Sequence, residues 1–164
     1  MSTLDSPGFP SPPELIDMAA GKGLALDDHR SRPLEPLRTA DLVVGFELDH
    51  VAHAVVHAGA DPTVTFTLPE LARLLDQLPD EPRSDTLEDA RDLVGAAHGL
   101  REQGHPTEGV TDPFGAGRKA YEQMVTDVTG LCDAVLARLF PASGTSAGLA
   151  STREVDRDGS AVGR

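Results

Sequence analysis

Two short β-forming runs, Asp41-Leu42-Val43-Val44-Gly45-Phe46 and Thr63-Val64-Thr65-Phe66-Thr67, are each followed at once by a segment with helical apolar spacing. Strands that alternate with helices pair in parallel, because the chain must cross back over the sheet before it can pair again. An unbroken apolar run such as 41–46 suits a strand covered on both faces. The expected architecture is therefore α/β with a mostly parallel sheet. Ligands of such sheets bind beyond the carboxyl ends of the strands, where the strand order reverses. The loops from His29 to Leu34 and from Thr111 to Gly115 are the candidates to line that crevice.

The helices are marked by their start signals and their periods. Ser11-Pro12-Pro13-Glu14 reads as a capped start for a helix with Leu15, Met18 and Ala19 on its buried stripe, ended by Gly21 and Gly23. A helix over about Glu47 to Ala58 is expected to turn Leu48, Val51 and Val55 to the core. Thr67-Leu68-Pro69-Glu70 is a capping box ahead of Leu71, Leu74, Leu75 and Leu78. Asp85 and Glu88 are placed to cap a helix running to about Leu100, with Leu87, Val94 and Ala97 inside. From Gly117 to Phe140, Tyr121, Met124, Val125, Val128, Leu131, Cys132, Val135, Leu136 and Leu139 recur at spacings of three and four, the strongest helical signal present. Ser2 to Asp5 reads as a short, weak strand, and Arg101 to Gly109 as a loop. One domain over residues 1–140 is expected, followed by a disordered Ser/Gly/Ala-rich tail over 141–164.

Composition excludes some classes of function. A net charge of −13 argues against nucleic acid, whose phosphates require clustered Lys and Arg. No run approaches the roughly 18 apolar residues of a membrane span, and Met1 is not followed by an export signal, so a cytoplasmic protein without membrane contact is expected. The single cysteine, Cys132, allows neither an internal disulfide nor a Cys zinc cluster. His50, His53 and His57 share one helix face, but opposite Leu48, Val51 and Val55 that face reads as solvated rather than metal-binding.

One carboxylate stands out, Asp112 in Val110-Thr111-Asp112-Pro113-Phe114-Gly115, on a turn ahead of the longest helix. Pro113 biases Asp112 away from helical geometry and holds it in an extended loop. Two readings are open: an acid presented to a ligand, or an Asp that only hydrogen-bonds its own turn.

Several pieces in order resemble one family. Ser6-Pro7-Gly8, then Gly23-Leu24 with His29-Arg30-Ser31-Arg32-Pro33-Leu34, Ala40-Asp41-Leu42-Val43-Val44, Thr67 to Leu74, and Asp112-Pro113-Phe114-Gly115 with Tyr121 are similar to the bacterial form of the low-molecular-weight protein tyrosine phosphatases, over roughly Leu4 to Phe140. The resemblance implies a three-layer domain of the flavodoxin-like type with strand order 2-1-3-4. It also implies hydrolysis of phosphomonoesters such as the phosphotyrosine of a phosphoprotein, without cofactor or metal. Family members attack phosphorus with the thiolate of a Cys-x5-Arg-Ser loop between the first strand and first helix, while an Asp protonates the leaving phenolate.

By resemblance Asp112 holds that general-acid position, Phe114 stands beside an aromatic substrate, and His29 and Ser31 support the phosphate loop. The chain starts at the family's second strand, so the first β-loop-α unit and its nucleophile are expected to be missing and catalysis by this chain alone negligible. Cys132 to Arg138 spells Cys-x5-Arg, but inside a helix, where the backbone N–H groups are already bonded and cannot cradle an anion. The alternatives are a non-catalytic binding or regulatory module and a degenerate fragment.

Overall fold

The computed structural model describes residues 7–81, 84, 86–101 and 109–141. The strand expected over Ser2 to Asp5, most of the 101–109 loop and the 142–164 tail lie outside these residues. The described chain is α/β: α1 Pro13–Ala20, β1 Val43–Gly45, α2 Leu48–Val56, β2 Thr65–Thr67, α3 Leu68–Gln77, α4 Leu87–Gly99 and α5 Arg118–Leu139, with a 3-10 turn at Pro62–Val64. The strands pair in parallel, Val43 with Thr65, Val44 with Phe66 and Gly45 with Thr67. Among the described residues the sheet has these two strands alone, so each keeps one edge without a strand partner. None of the described helices is long and apolar enough to cross a membrane.

Local chemistry explains several boundaries. Thr67 is fully buried and caps α3 with the expected box: its hydroxyl accepts from the Glu70 N–H at 3.3 Å, and a Glu70 carboxylate oxygen accepts from the Thr67 N–H at 3.4 Å. Asp61 starts the 3-10 turn, its carboxylate accepting from the Thr63 N–H and hydroxyl at 2.8 and 2.7 Å. Those two bonds, backbone first, hold the Asp61 carboxyl below its ordinary pKa. That turn takes Thr63 and Val64 out of the expected strand, leaving Thr65–Thr67. Gly117, at φ 82°, enters α5, and Pro141 follows its C-cap Phe140.

Other expectations are corrected. At α1 no side chain caps the helix; Pro12 occupies the N-cap, and neither Ser11 nor Glu14 bonds the free N–H groups. At α4 the cap is Thr86, whose hydroxyl accepts from the Asp89 N–H at 3.1 Å, and Leu87 is exposed while Ala90, Leu93, Val94 and Ala97 are buried. The run at 41–46 is not covered on both faces, since Val44 is 42% and Phe46 48% exposed. On α2 the expected face is wrong at its first position: Leu48 is 53% exposed, while Ala54 is buried and His50 and His53 are half-buried. The two short strands described beneath α2 offer it sheet over just part of its length.

The core gathers around α3. Leu68, Leu71, Leu74 and Leu75 from that helix meet Phe66 of β2, Ala90, Leu93, Val94 and Ala97 of α4, and Val135 and Leu139 of α5. The leucines recur at three and four, so one face of α3 is wholly apolar and α4 and α5 close over it. On the strand side, Gly45 is needed for close approach: a Cβ there would stand 2.9 Å from the His50 Cβ and 3.3 Å from the Val51 amide nitrogen. Gly45→Ala is expected to push α2 off β1 and lower the unfolding free energy by about 1–3 kcal/mol, read as a shift of the urea midpoint. An unshifted midpoint would mean that α2 is not seated as closely as this spacing requires.

Candidate functional site

The loop that carries Asp112 is tied to the carboxyl end of β1. The Val110 N–H donates to the carbonyl oxygen of Phe46 at 2.7 Å, and Gly109 lies against the same residue, where a Cβ would stand 3.2 Å from the Phe46 carbonyl oxygen. Asp112 thus begins two residues beyond a contact with the end of a parallel strand, the place where such sheets bind ligands. Its own carboxylate is exposed and accepts from the Phe114 N–H at 2.9 Å, closing a turn. Pro113 is buried and its carbonyl accepts from the Ala116 N–H at 2.9 Å. Phe114 is 81% exposed.

Behind the loop stands Tyr121, buried in the first turn of α5. Burial raises the pKa of its phenol, and the nearby charges of Asp112 and of Glu14 on α1 raise it further. At neutral pH it stays a protonated phenol.

The other expected loop is held elsewhere. The Ser31 hydroxyl accepts from the Phe9 N–H at 2.9 Å, the Ser31 carbonyl accepts from the Gly8 N–H at 2.8 Å, and Pro10 and Arg30 form an isolated antiparallel bridge. Ser31 therefore fastens residues 8–10 to the loop. His29 is exposed, and the Arg30 guanidinium is turned back on the carbonyls of Asp27 and His29. Ser31 hydrogen-bonds residues 8 and 9, whereas the Asp112 carboxylate bonds Phe114.

An open groove of about 160 Å³ runs along β1, with Leu34, the last residue of the expected crevice loop, in its lining and no residue of the Asp112 loop. Leu34 and Leu37 form one wall, His50, His53 and Ala54 of α2 another, and Val43 to Phe46 the floor. Its lining is mostly apolar. It is smaller than the roughly 300 Å³ at which small-molecule pockets begin, and offers room for a side chain rather than a whole ligand. No group of three or more His, Cys, Asp or Glu side chains converges to hold a metal among the described residues.

Cys132 is half-buried on α5 and packs against the core cluster. Burial first, and then the Asp133 charge, raise its thiol pKa, so it is a poor source of thiolate. It lies on a helix interior, as its sequence predicts, and is no nucleophile for the Asp112 loop.

No family model, curated protein or solved structure matches this chain. The features that bear on function are an exposed carboxylate at the carboxyl end of a parallel strand, an apolar groove along that strand, and a strand edge with no partner strand among the described residues.

Proposed function

We propose that this domain is a low-molecular-weight tyrosine-phosphatase-like scaffold in which Asp112 holds the general-acid position, and that it hydrolyses phosphomonoesters only when a Cys-x5-Arg-Ser loop is supplied at the free edge of β1. In this reading β1 and β2 are the third and fourth strands of a 2-1-3-4 sheet of the flavodoxin-like type, and the substrate is a phosphoprotein or another aryl phosphate. The observation that carries it is the 2.7 Å bond from Val110 to Phe46, which seats the Asp112 loop at the carboxyl end of a strand whose other edge has no strand partner among the described residues. An acid so placed would face a phosphate loop entering along that edge. Without a nucleophile and a cradle of N–H groups, it has nothing to protonate.

The test is to read the coding DNA upstream of Met1 in frame and to express the extended chain with an aryl phosphate as substrate. The expected result is a strand ending in Cys-x5-Arg-Ser and a turnover that Asp112→Asn lowers by about 10²-fold or more. The 164-residue chain by itself is expected to give no turnover above buffer. A stop codon directly upstream, or turnover indifferent to Asp112→Asn, overturns the phosphatase reading.

A second reading, a non-catalytic binding module, is favoured by one observation. The Asp112 carboxylate is already engaged by the Phe114 N–H, as it would be if its only task were to shape the loop. The same experiment separates the two, because this reading predicts no hydrolysis from either chain.

A further inference from the structure

The histidines of α2 are used by neither reading above. His57 is the C-cap of α2, and its N–H donates to the His53 carbonyl at 2.9 Å, so helical register continues through it. His53 and His57 therefore stand one turn apart on the same ridge. Their ring centroids are 4.7 Å apart and the ring planes are inclined at 44°. Neither imidazole makes a side-chain hydrogen bond to another described residue. His53 is half-buried against the groove wall, and His57 is exposed. One ring is thus held by packing and the other opens to solvent.

We propose that His53 and His57 form a two-imidazole site for a divalent transition ion, taking Cu²⁺ before Ni²⁺ and Zn²⁺. Histidines at i and i+4 on one helix face are a known chelating arrangement, and neutral imidazole suits all three ions. Two ring nitrogens bound at about 2.0–2.1 Å to one ion stand roughly 3 Å apart. Rings already in contact reach that spacing by small side-chain rotations, without moving the helix. Copper is preferred because affinity at a given nitrogen site rises to Cu²⁺ and falls again at Zn²⁺.

The surroundings favour a cation. Residues 48–56 contain no Lys or Arg, Asp49 lies one turn ahead of His53, and the whole chain carries −13. The basic side chain packed near the helix end, Arg38, lies over Gly59. Ala54 follows His53 where the metalloprotease version of this spacing carries a glutamate. The site therefore has no general base of that kind and is one for binding, not hydrolysis. With two protein ligands, water completes the coordination and the ion exchanges readily.

The experiment uses the untagged, metal-stripped chain titrated with Cu²⁺, and separately with Ni²⁺, by calorimetry, with the His imidazole resonances followed by NMR. One equivalent of ion is expected, with the resonances of His53 and His57 moving before those of His29 and His98. His57→Ala should weaken binding by roughly tenfold or more, His53→Ala should do the same, and His29→Ala should leave it unchanged. Because His57 is exposed at a helix end, its replacement should keep the melting temperature, which a thermal scan verifies. Absence of saturable binding, or an equivalent that survives both substitutions, overturns the proposal.

Discussion

Replacing Arg101 by alanine is expected to lower the unfolding free energy by about 3 kcal/mol, the lower end of the cost of breaking a buried ion pair. Its guanidinium closes on Glu70 with two parallel bonds, Nε to Oε1 at 3.0 Å and Nη2 to Oε2 at 3.1 Å. The same group donates to the carbonyl of Pro62 at 2.8 Å and to that of Thr65, and it lies 3.9 Å above the Phe66 ring. The side chains of Arg101 and Glu70 keep 24% and 15% of their exposure, so solvent screens part of the attraction and the lower figure applies.

Alanine would leave the Glu70 carboxylate half-desolvated and without its cation, and would free two carbonyls beside β2. Arg101→Lys keeps the charge but not the fork, and should recover less than half of the loss. Urea unfolding of the wild type, Arg101→Ala, Glu70→Ala and the double variant measures the coupling, expected at about 1–3 kcal/mol. A loss under about 0.5 kcal/mol for Arg101→Ala, the level of an ordinary surface change, would show that the clamp is not formed in solution.

Phe66→Ala should cost about 3–5 kcal/mol, as for other fully buried aromatic side chains. Phe66 has no exposed surface, sits in the middle of β2 opposite Val44, and fills the space between the sheet and the α3–α4 leucines. Phe66→Leu, which retains most of the volume, should lose about 1.5 kcal/mol or less. The alanine change also removes the ring under Arg101, so the double variant with Arg101→Ala should fall short of the sum of the two losses. Additive losses would mean that the guanidinium and the ring do not interact. These figures are large against the roughly 5–15 kcal/mol that holds a domain of this size, and Phe66→Ala should broaden or abolish the cooperative melt.

Features readable from the sequence are those whose partners are close along the chain. The capping box at Thr67 needs only Glu70, three residues on, and it forms as written. The α5 period and its stop ahead of Pro141 also survive, with Arg118–Leu139 inside the expected span. For the candidate site, the turn at Asp112 was legible because Asp before Pro bonds its own backbone, and the bond to Phe114 is that turn.

The groove was not legible. Its walls come from Leu34, from β1 and from His50 and His53; the loop ending in Leu34 was a candidate crevice lining, but the pattern at 41–46 had pointed to a covered strand and that of the α2 histidines to a solvated face. Periodicity reports that a helix has two faces; how far each is covered depends on what packs there. Among the described residues the sheet is two three-residue strands, too narrow to cover the start of α2 or the outer side of β1.

The sequence by itself determined the alternation of strands and helices, the parallel pairing, the α3 cap and the leucine face that makes the core. Only the tertiary structure decided that Arg101, in a stretch read as loop, would reach back 31 residues to Glu70 and clamp β2. It alone placed Val110 on Phe46 and, among the described residues, left β1 with one edge unpaired and an apolar groove along it. The reason is physical: caps and periods are set within a turn or two of chain, whereas a guanidinium's partner is whatever carboxylate and carbonyls the packed helices bring within 3 Å of it.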